Sequence, residues 1–362
     1  MARGPRAVRL VPAELATVLV CRINARMGNA MFLTPLIERL RELLPRAAID
    51  VASAYPYARE LLGPIPGVRH VIAFPYKGVQ LPWRYAAALG RVRRERYDLA
   101  IDPAPDSTSD RIVLTLARAR YRLGFASASQ WAPLTHAVPL PQETLHQAVQ
   151  PVYLLSRALG AELATGPVRL QLSLTKEELA AGRAAVEHAI AAKAAAPVAA
   201  RIDGVFGFFA HATGHKTIAR EYWRAFWSAF LELEPDAVPL EILPAADRAA
   251  TDARSAVLHL ESPRVLAAAI SSTRLFIAGD TGPMHLASST AVPTVALFQA
   301  SDPALYGPLK PCDLALDPAH CPPLELAQRC RALWHAARTA TEARASSESC
   351  AAGAGRSVSA QP

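Results

Sequence analysis

Between positions 275 and 298 the chain reads LFIAGDTGPMHLASSTAVPTVALF, two short apolar runs separated by a polar turn and a helix-forming stretch. Apolar runs this short, bounded by Gly or Pro, are strands buried on both faces, and two of them joined through a helix lie parallel in one sheet. The segment therefore commits the chain to an α/β architecture. Gly279 closes the first run, Pro283 occupies the position favoured for a first helical residue, and Asp280, Thr281 and Gly282 fall between them. A helix opening there turns unpaired N–H groups and its positive dipole end toward the crevice beyond the strand, where nucleotide phosphates settle. His285 follows within the first turn or the next. Taken alone, Asp280 or Thr281 serves equally well as a plain helix cap, and His285 as a core histidine. A second polar loop, from Ser301-Asp302-Pro303 to Tyr306-Gly307-Pro308, follows the strand at 292–298 and lines the same crevice.

The alternation of strand and helix patterns extends along the chain. Residues 18–23 read as the first strand. After Arg26-Met27-Gly28-Asn29, the residues Leu33, Leu36, Ile37, Leu40 and Leu44 keep the spacing of an amphipathic helix that Pro45 ends. Further strands are predicted at 49–52, 68–74 and 99–101, with helices at 57–62, 83–94 and 111–119. A second sheet begins at 205–209, and Trp223, Phe226, Trp227 and Phe230 form a packing stripe on the helix after it. The intervening KEELAAGRAAVEHAIAAKAAA has high helix propensity and little apolar contrast, which predicts an exposed helix. The chain thus divides into an N-terminal extension 1–16, a first Rossmann-like domain 17–165, a linker and helix 166–200, a second Rossmann-like domain 201–338 and a tail 339–362. The tail lacks periodicity and predicts disorder. A length of 362 residues with 51% hydrophobic content suffices for two such cores.

A net charge of +8 suits anionic partners such as nucleotide phosphates, a phosphorylated glycolipid or an anionic membrane face. The basic residues are dispersed and no nucleic-acid-binding motif stands out, so nucleic acid is not an expected partner. Five cysteines without a CxxC pair point to a reducing compartment. Cys312, Cys321 and Cys330, with His320 adjacent, have no usual metal-ligand spacing. The N-terminal apolar stretch is interrupted by Pro12 and Glu14, so no signal peptide is expected, and no run is long enough to span a membrane. A cytoplasmic protein is expected, meeting any membrane acceptor peripherally from that side.

Two further constellations carry chemistry. In VFGFFAHATGHKTIAREYW an apolar strand leads into His211, Thr213, Gly214, His215, Lys216 and Thr217. Gly214 permits close backbone approach, and Lys216 beside hydroxyls and a helix start can neutralise a diphosphate, although by itself it is equally a solvated loop lysine. After the strand at 99–101, Asp102, Asp106 and Asp110 place carboxylates at the carboxyl edge of the first sheet, where each also reads as a turn or helix cap. The first strand is followed by NARMGNA rather than GxGxxG, which disfavours an NAD-dependent oxidoreductase.

These motifs resemble glycosyltransferase family 9, the heptosyltransferases that build the inner core of bacterial lipopolysaccharide. The resemblance rests on Asp280-Thr281-Gly282, His285, Pro293 and Gly307-Pro308 in the family's order, on the Lys216 loop, on RINARMGNAMFLTPL, and on the weaker YDLAIDPAP and YRLGF. It covers most of 17–330. It implies a GT-B architecture, two Rossmann-like doubly wound domains facing across a cleft. It also implies inverting transfer of heptose from ADP-heptose to a lipopolysaccharide-core or related glycan acceptor. Thr213, Lys216, Asp280, Thr281, Gly282 and His285 would then hold the donor, and Arg26 and Gly28 would belong to the acceptor-side loop.

The chain departs from the family at two points. Trp223 stands seven positions beyond Lys216, where the family has Lys-x-Trp. More seriously, the family's Gly-Asp, whose Asp is taken as the general base, reads Gly28-Asn29. An amide cannot accept the acceptor's proton at neutral pH. Another carboxylate, Asp102 or Asp106 foremost and Asp110 besides, takes that role, or Asn29 orients the acceptor, or catalysis has been lost. No Asp-x-Asp motif flanks either phosphate loop. The sequence therefore predicts no cofactor and no metal, with Lys and helix dipoles in place of Mg²⁺. The alternatives are a GT-B transferase using another nucleotide-sugar and a catalytically impaired nucleotide-sugar-binding protein.

Overall fold

A computed structural model of the chain describes residues 10–76, 80–127, 132–163, 166–193, 202–244, 249–259 and 262–354. It comprises two compact units. The first contains Met1–Thr175 with Ser262–Leu266 and Ser301–Leu309, and the second contains Lys176–Glu261, Ala267–Ala300 and Lys310–Pro362.

The first unit is built on β1 (Thr17–Arg22), β2 (Ala48–Ser53), β3 (Val68–Ala73), β4 (Tyr97–Asp102), β5 (Ala119–Ala126) and β6 (His136–Pro139). All pairings are parallel, in the order β3-β2-β1-β4-β5-β6. This is the dinucleotide-binding strand order, in which the chain reverses direction across the sheet between β1 and β4 and leaves a crevice at their carboxyl ends. The helix predicted from position 33 is preceded by a separate turn: α1 (Met27–Met31) ends before α2 (Thr34–Leu43). Pro35 cannot donate into a continuous helix, and Thr34 Oγ1 instead donates to the Met31 carbonyl at 2.9 Å. After α3 (Ala58–Leu62) and α4 (Pro82–Arg94) comes α5 (Thr108–Leu116). The α5 helix starts earlier than the predicted 111–119 because Ser107 caps it, its Oγ accepting from Asp110 N at 3.3 Å. Ala119 then opens β5. The unit also contains α6 (Gln150–Leu159).

In the second unit, α7 (Lys176–Lys193) is followed by β7 (Val205–Phe209), α8 (Arg220–Leu233), β8 (Val238–Leu243), β9 (Ala256–His259), α9 (Pro263–Ser271), whose first turn belongs to the first unit, β10 (Leu275–Gly279), α10 (Gly282–Ser288) and β11 (Thr294–Leu297). After α11 (Pro303–Tyr306), which belongs to the first unit, the chain closes with β12 (Leu314–Leu316) and α12 (Pro323–Ala354). The sheet order β12-β11-β10-β7-β8-β9 is again all parallel, so the first fold is repeated with its reversal between β7 and β10. The α8 stripe is core, as its spacing predicts: Trp223, Phe226, Trp227 and Phe230 pack with Phe206, Phe208 and Trp334.

Two expectations change here. The alanine-rich α7 is not an exposed linker helix, because Val186, Ala189 and Ile190 are buried against β8 and β9. Gly182 supplies the close approach, since a Cβ there would lie 2.4 Å from the Ala268 carbonyl carbon. The α12 helix packs on α8 and continues through Ala354, into the stretch expected to be disordered. Six alanines among residues 339–354 carry helix propensity there, alongside the serines and Gly353 that suggested disorder. The end of the predicted tail, 355–362, lies outside the described residues. Among the described residues no helix is long and apolar enough to cross a membrane.

Candidate functional site

In the second unit, Phe209 at the end of β7 is paired with Ala278 of β10, so the loops that leave these strands emerge side by side. Lys216 and Asp280, 64 residues apart in sequence, meet there as an ion pair. Asp280 is nearly buried, and His285 Nε2 lies 3.8 Å from its second oxygen. The Lys216 loop is a single 3₁₀ turn, Gly214–Lys216, entered through Gly214 at φ 61°, a left-handed conformation that glycine adopts without strain. Gln299, just past β11, braces the loop by donating to the carbonyls of His215 at 3.1 Å and Thr217 at 3.4 Å. Thr213 is exposed at the head of the turn. Thr281 is the N-cap of α10, yet its Oγ1 donates back to the Gly279 carbonyl at 3.2 Å, and Gly282 and Pro283 begin the helix.

A carboxylate that sequence reasoning missed lies on β8, the strand on the other side of β7. Glu241 of β8 is fully buried and accepts from Thr251 N and Thr251 Oγ1, each at 2.6 Å, while His211 Nε2 lies 3.3 Å away. The signal was available in VPLEIL, a single carboxylate inside an otherwise apolar strand, because a charge is buried only where partners wait for it.

In the first unit, Asn29 lies on α1, and Arg22 at the end of β1 donates through Nη2 to its Oδ1 at 2.8 Å. The same guanidinium reaches Asp110 Oδ2 at 3.1 Å, and the Ile23 N–H donates to Asp110 Oδ1. Burial pushes the Asp110 carboxyl up while Arg22 pulls it down. Asp110 is therefore not the cap of α5. It anchors the arginine that orients Asn29.

Asp102 is also fully buried. Its Oδ2 accepts from Arg111 Nε at 2.8 Å and its Oδ1 from Ala104 N at 3.2 Å, and the buried Arg111 also donates to the Phe125 and Ala132 carbonyls. Burial and the nearby Asp110 charge raise its carboxyl to about 7, against the pull of Arg111. This geometry gives Asp102 to the interior, as the partner of Arg111, rather than to a substrate. Asp106 is exposed on the loop after β4, with Ser127 Oγ donating to it at 3.3 Å. Arg26 is exposed as the N-cap of α1, its N–H donating to Asn24 Oδ1 at 2.9 Å, and Gly28 lies inside that short helix.

Solved structures share this architecture. Escherichia coli heptosyltransferase WaaC with ADP matches with a TM-score of 0.67 at 16% identity, covering 89% of this chain and 99% of that one. E. coli ADP-heptose LPS heptosyltransferase II gives 0.67 at 18%, over 88% and 98%. A family 9 glycosyltransferase from Veillonella parvula gives 0.67 at 20%, over 83% and 86%. Two parallel six-stranded sheets of the same order, matching these proteins, define a GT-B fold. Residues 254–325 match the sequence model of Glycosyltransferase family 9 (heptosyltransferase), and with that match the chain is recognised as a glycosyltransferase. Asp280, Thr281, Gly282 and His285 fall inside the matched segment, whereas Thr213, Lys216 and the first-unit residues fall outside it. No curated protein matches the chain in sequence.

Proposed function

We propose that the chain is an inverting glycosyltransferase that moves heptose from ADP-heptose onto a lipopolysaccharide-core or related glycan acceptor at the cytoplasmic face of the membrane. The observation that carries this reading is the Lys216–Asp280 pair at the carboxyl ends of β7 and β10, where doubly wound folds hold nucleotides. The ammonium faces the leaving diphosphate, Thr213 and the first N–H groups of α10 add donors, and Asp280 with His285 holds the lysine and neighbouring donor hydroxyls. Stabilising the charge that develops on the leaving diphosphate is the main electrostatic task of such a transfer. Lysine and backbone dipoles perform it here without a metal.

Asn29 does not remove a proton. Arg22 occupies its carbonyl oxygen, which leaves its amide N–H groups to hold an acceptor oxygen. Of the carboxylates after β4, Asp106 is the exposed one, and it is assigned the acceptor proton. Calorimetric titration with ADP, UDP, GDP and ADP-heptose, with and without Mg²⁺, tests the donor half. ADP-selective and metal-independent binding is expected, weakened about tenfold to a hundredfold in Lys216→Ala and Asp280→Ala, as for loss of a charge-assisted contact. Absence of nucleotide binding overturns the reading. Because Asn29 replaces the usual carboxylate, a nucleotide-sugar-binding protein without turnover is the second reading, and donor binding without transfer in the presence of acceptor selects it.

A further inference from the structure

The α4 helix, PWRYAAALGRVRR, carries four arginines and no acidic residue. Its inner face is settled by packing: Ala88 and Val92 are buried, and Tyr85 meets Phe74 edge-on with ring centroids 5.0 Å apart. Leu89 is half-buried beside them, and the remaining positions of the helix are exposed. Trp83, Ala87, Gly90 and Arg94, at helical spacings of four, three and four, form one exposed line, with Arg84 and Arg91 along one side and Ala86 and Arg93 along the other. Trp83 is 65% exposed, and Tyr76, on the connection leading toward the helix, is 68% exposed. Arg84, Arg91 and Arg94 make no ion pair among the described residues. Arg93 reaches the carbonyl of Leu116, itself 38% exposed, which extends an apolar edge beside the helix.

We propose that this face of α4 docks the protein on an anionic lipid bilayer, with the helix lying in the interfacial plane. Small residues between arginines leave a shallow surface that can lie flush on headgroups. Arginine stems can lie along it with their guanidiniums on lipid phosphates, and an amphipathic indole at one end has its preferred depth at the interface. The charge complements a bilayer of anionic lipids. Single-stranded nucleic acid is the poorer fit, since its binders track the backbone along a groove with several stacking rings, and here one convex helix presents one tryptophan. Docking rests on the proposed glycosyl transfer only for its purpose, which is to bring the enzyme to a lipid-anchored acceptor.

Co-sedimentation of the full chain with phosphatidylcholine vesicles, with and without phosphatidylglycerol, tests the proposal, alongside ADP titration of the same samples. Binding is expected to the phosphatidylglycerol vesicles alone and to weaken with salt. At roughly fivefold for each arginine, the Arg84→Gln/Arg91→Gln/Arg94→Gln variant should lose binding on the order of a hundredfold. The Trp83→Ala variant should lose it several-fold, and both should keep wild-type affinity for ADP. The proposal is overturned if the wild type ignores anionic vesicles, if the triple variant binds them as well as the wild type, or if both vesicle types bind equally. It is overturned equally if a DNA oligonucleotide is captured through these arginines while vesicles are not. Loss of ADP binding with vesicle binding intact would instead strike the donor site and leave this surface standing.

Discussion

At the scale of single residues, the departure at Asn29 acquires a physical setting. An aspartate at that position would compete with Asp110 for one guanidinium, whereas the neutral amide accepts from Arg22 and leaves Asp110 its charge partner. The neighbouring Asp102 illustrates how a catalytic candidate and a structural carboxylate separate. With both oxygens engaged inside the protein, its loss exposes Arg111 to an interior without a counter-charge. Asp102→Ala is expected to cost about 3 kcal/mol in urea unfolding, as for breaking a buried ion pair, while calorimetric ADP affinity stays at the wild-type value. A stable variant would return Asp102 to the list of possible bases. Asp280 and His285 were legible from the sequence because turn chemistry and a helix start are local. The carboxylate that holds Arg22 against Asn29 was not, because Asp110 stands 87 and 88 positions from Ile23 and Arg22 and meets them only through the pairing of β1 with β4.

At the scale of elements, α10 is held at its far end by a residue that reads in sequence as an ordinary loop lysine. Lys310 is mostly buried, and its Nζ donates to the carbonyls of Val292 at 2.7 Å, Ala287 at 3.0 Å and Thr290 at 3.1 Å, with Asp313 at 3.4 Å. A cation at a helix carboxyl end complements the dipole whose other end begins beside Asp280. Lys310→Met removes these donors and leaves the buried Asp313 without its cation. About 2 kcal/mol or more should be lost in thermal unfolding, with several-fold weaker ADP binding as α10 loosens. Unchanged affinity at reduced stability would show that α10 keeps its place without this clamp. The α7 helix teaches the same lesson in reverse. Its weak amphipathicity predicts exposure, yet small residues are what let it approach α9, and Gly182 is the contact. Apolar contrast measures how greasy a face is, not how closely a backbone can be approached.

At the scale of the whole molecule, the two units are not successive halves of the chain, because Ser262–Leu266 and Ser301–Leu309 return to the first. His146 secures the second return. Its Nδ1 accepts from Ala148 N at 3.0 Å, which puts the ring proton on Nε2, and that nitrogen donates to the Gly307 carbonyl at 2.9 Å while the ring meets Phe32 edge-on. Burial pulls this imidazole below its ordinary value, so the unfolded chain takes up the proton first as the pH falls. The histidine's contribution is therefore complete above about pH 6.5 and declines below it. His146→Phe should lower the unfolding free energy at neutral pH by about 1–3 kcal/mol for the lost hydrogen bonds, and flatten the decline toward acid. A variant with the wild-type pH profile would remove His146 from this role. The sequence alone determined the α/β class, both Rossmann-like sheets and the polar loops at their strand ends, because strand runs, helix spacing and turn residues act over a few neighbouring positions. Only the tertiary structure decided that Lys216 meets Asp280, that Arg22 turns the Asn29 amide, that Glu241 is buried with Thr251, and that the Gly307 loop belongs with the first unit. Lys216 and Asp280 stand 64 positions apart and the Gly307 carbonyl 161 positions from His146, while the nearer pairs need the loop and strand geometry that only the folded chain fixes; the cost of burying each polar group is met by the partner the fold supplies.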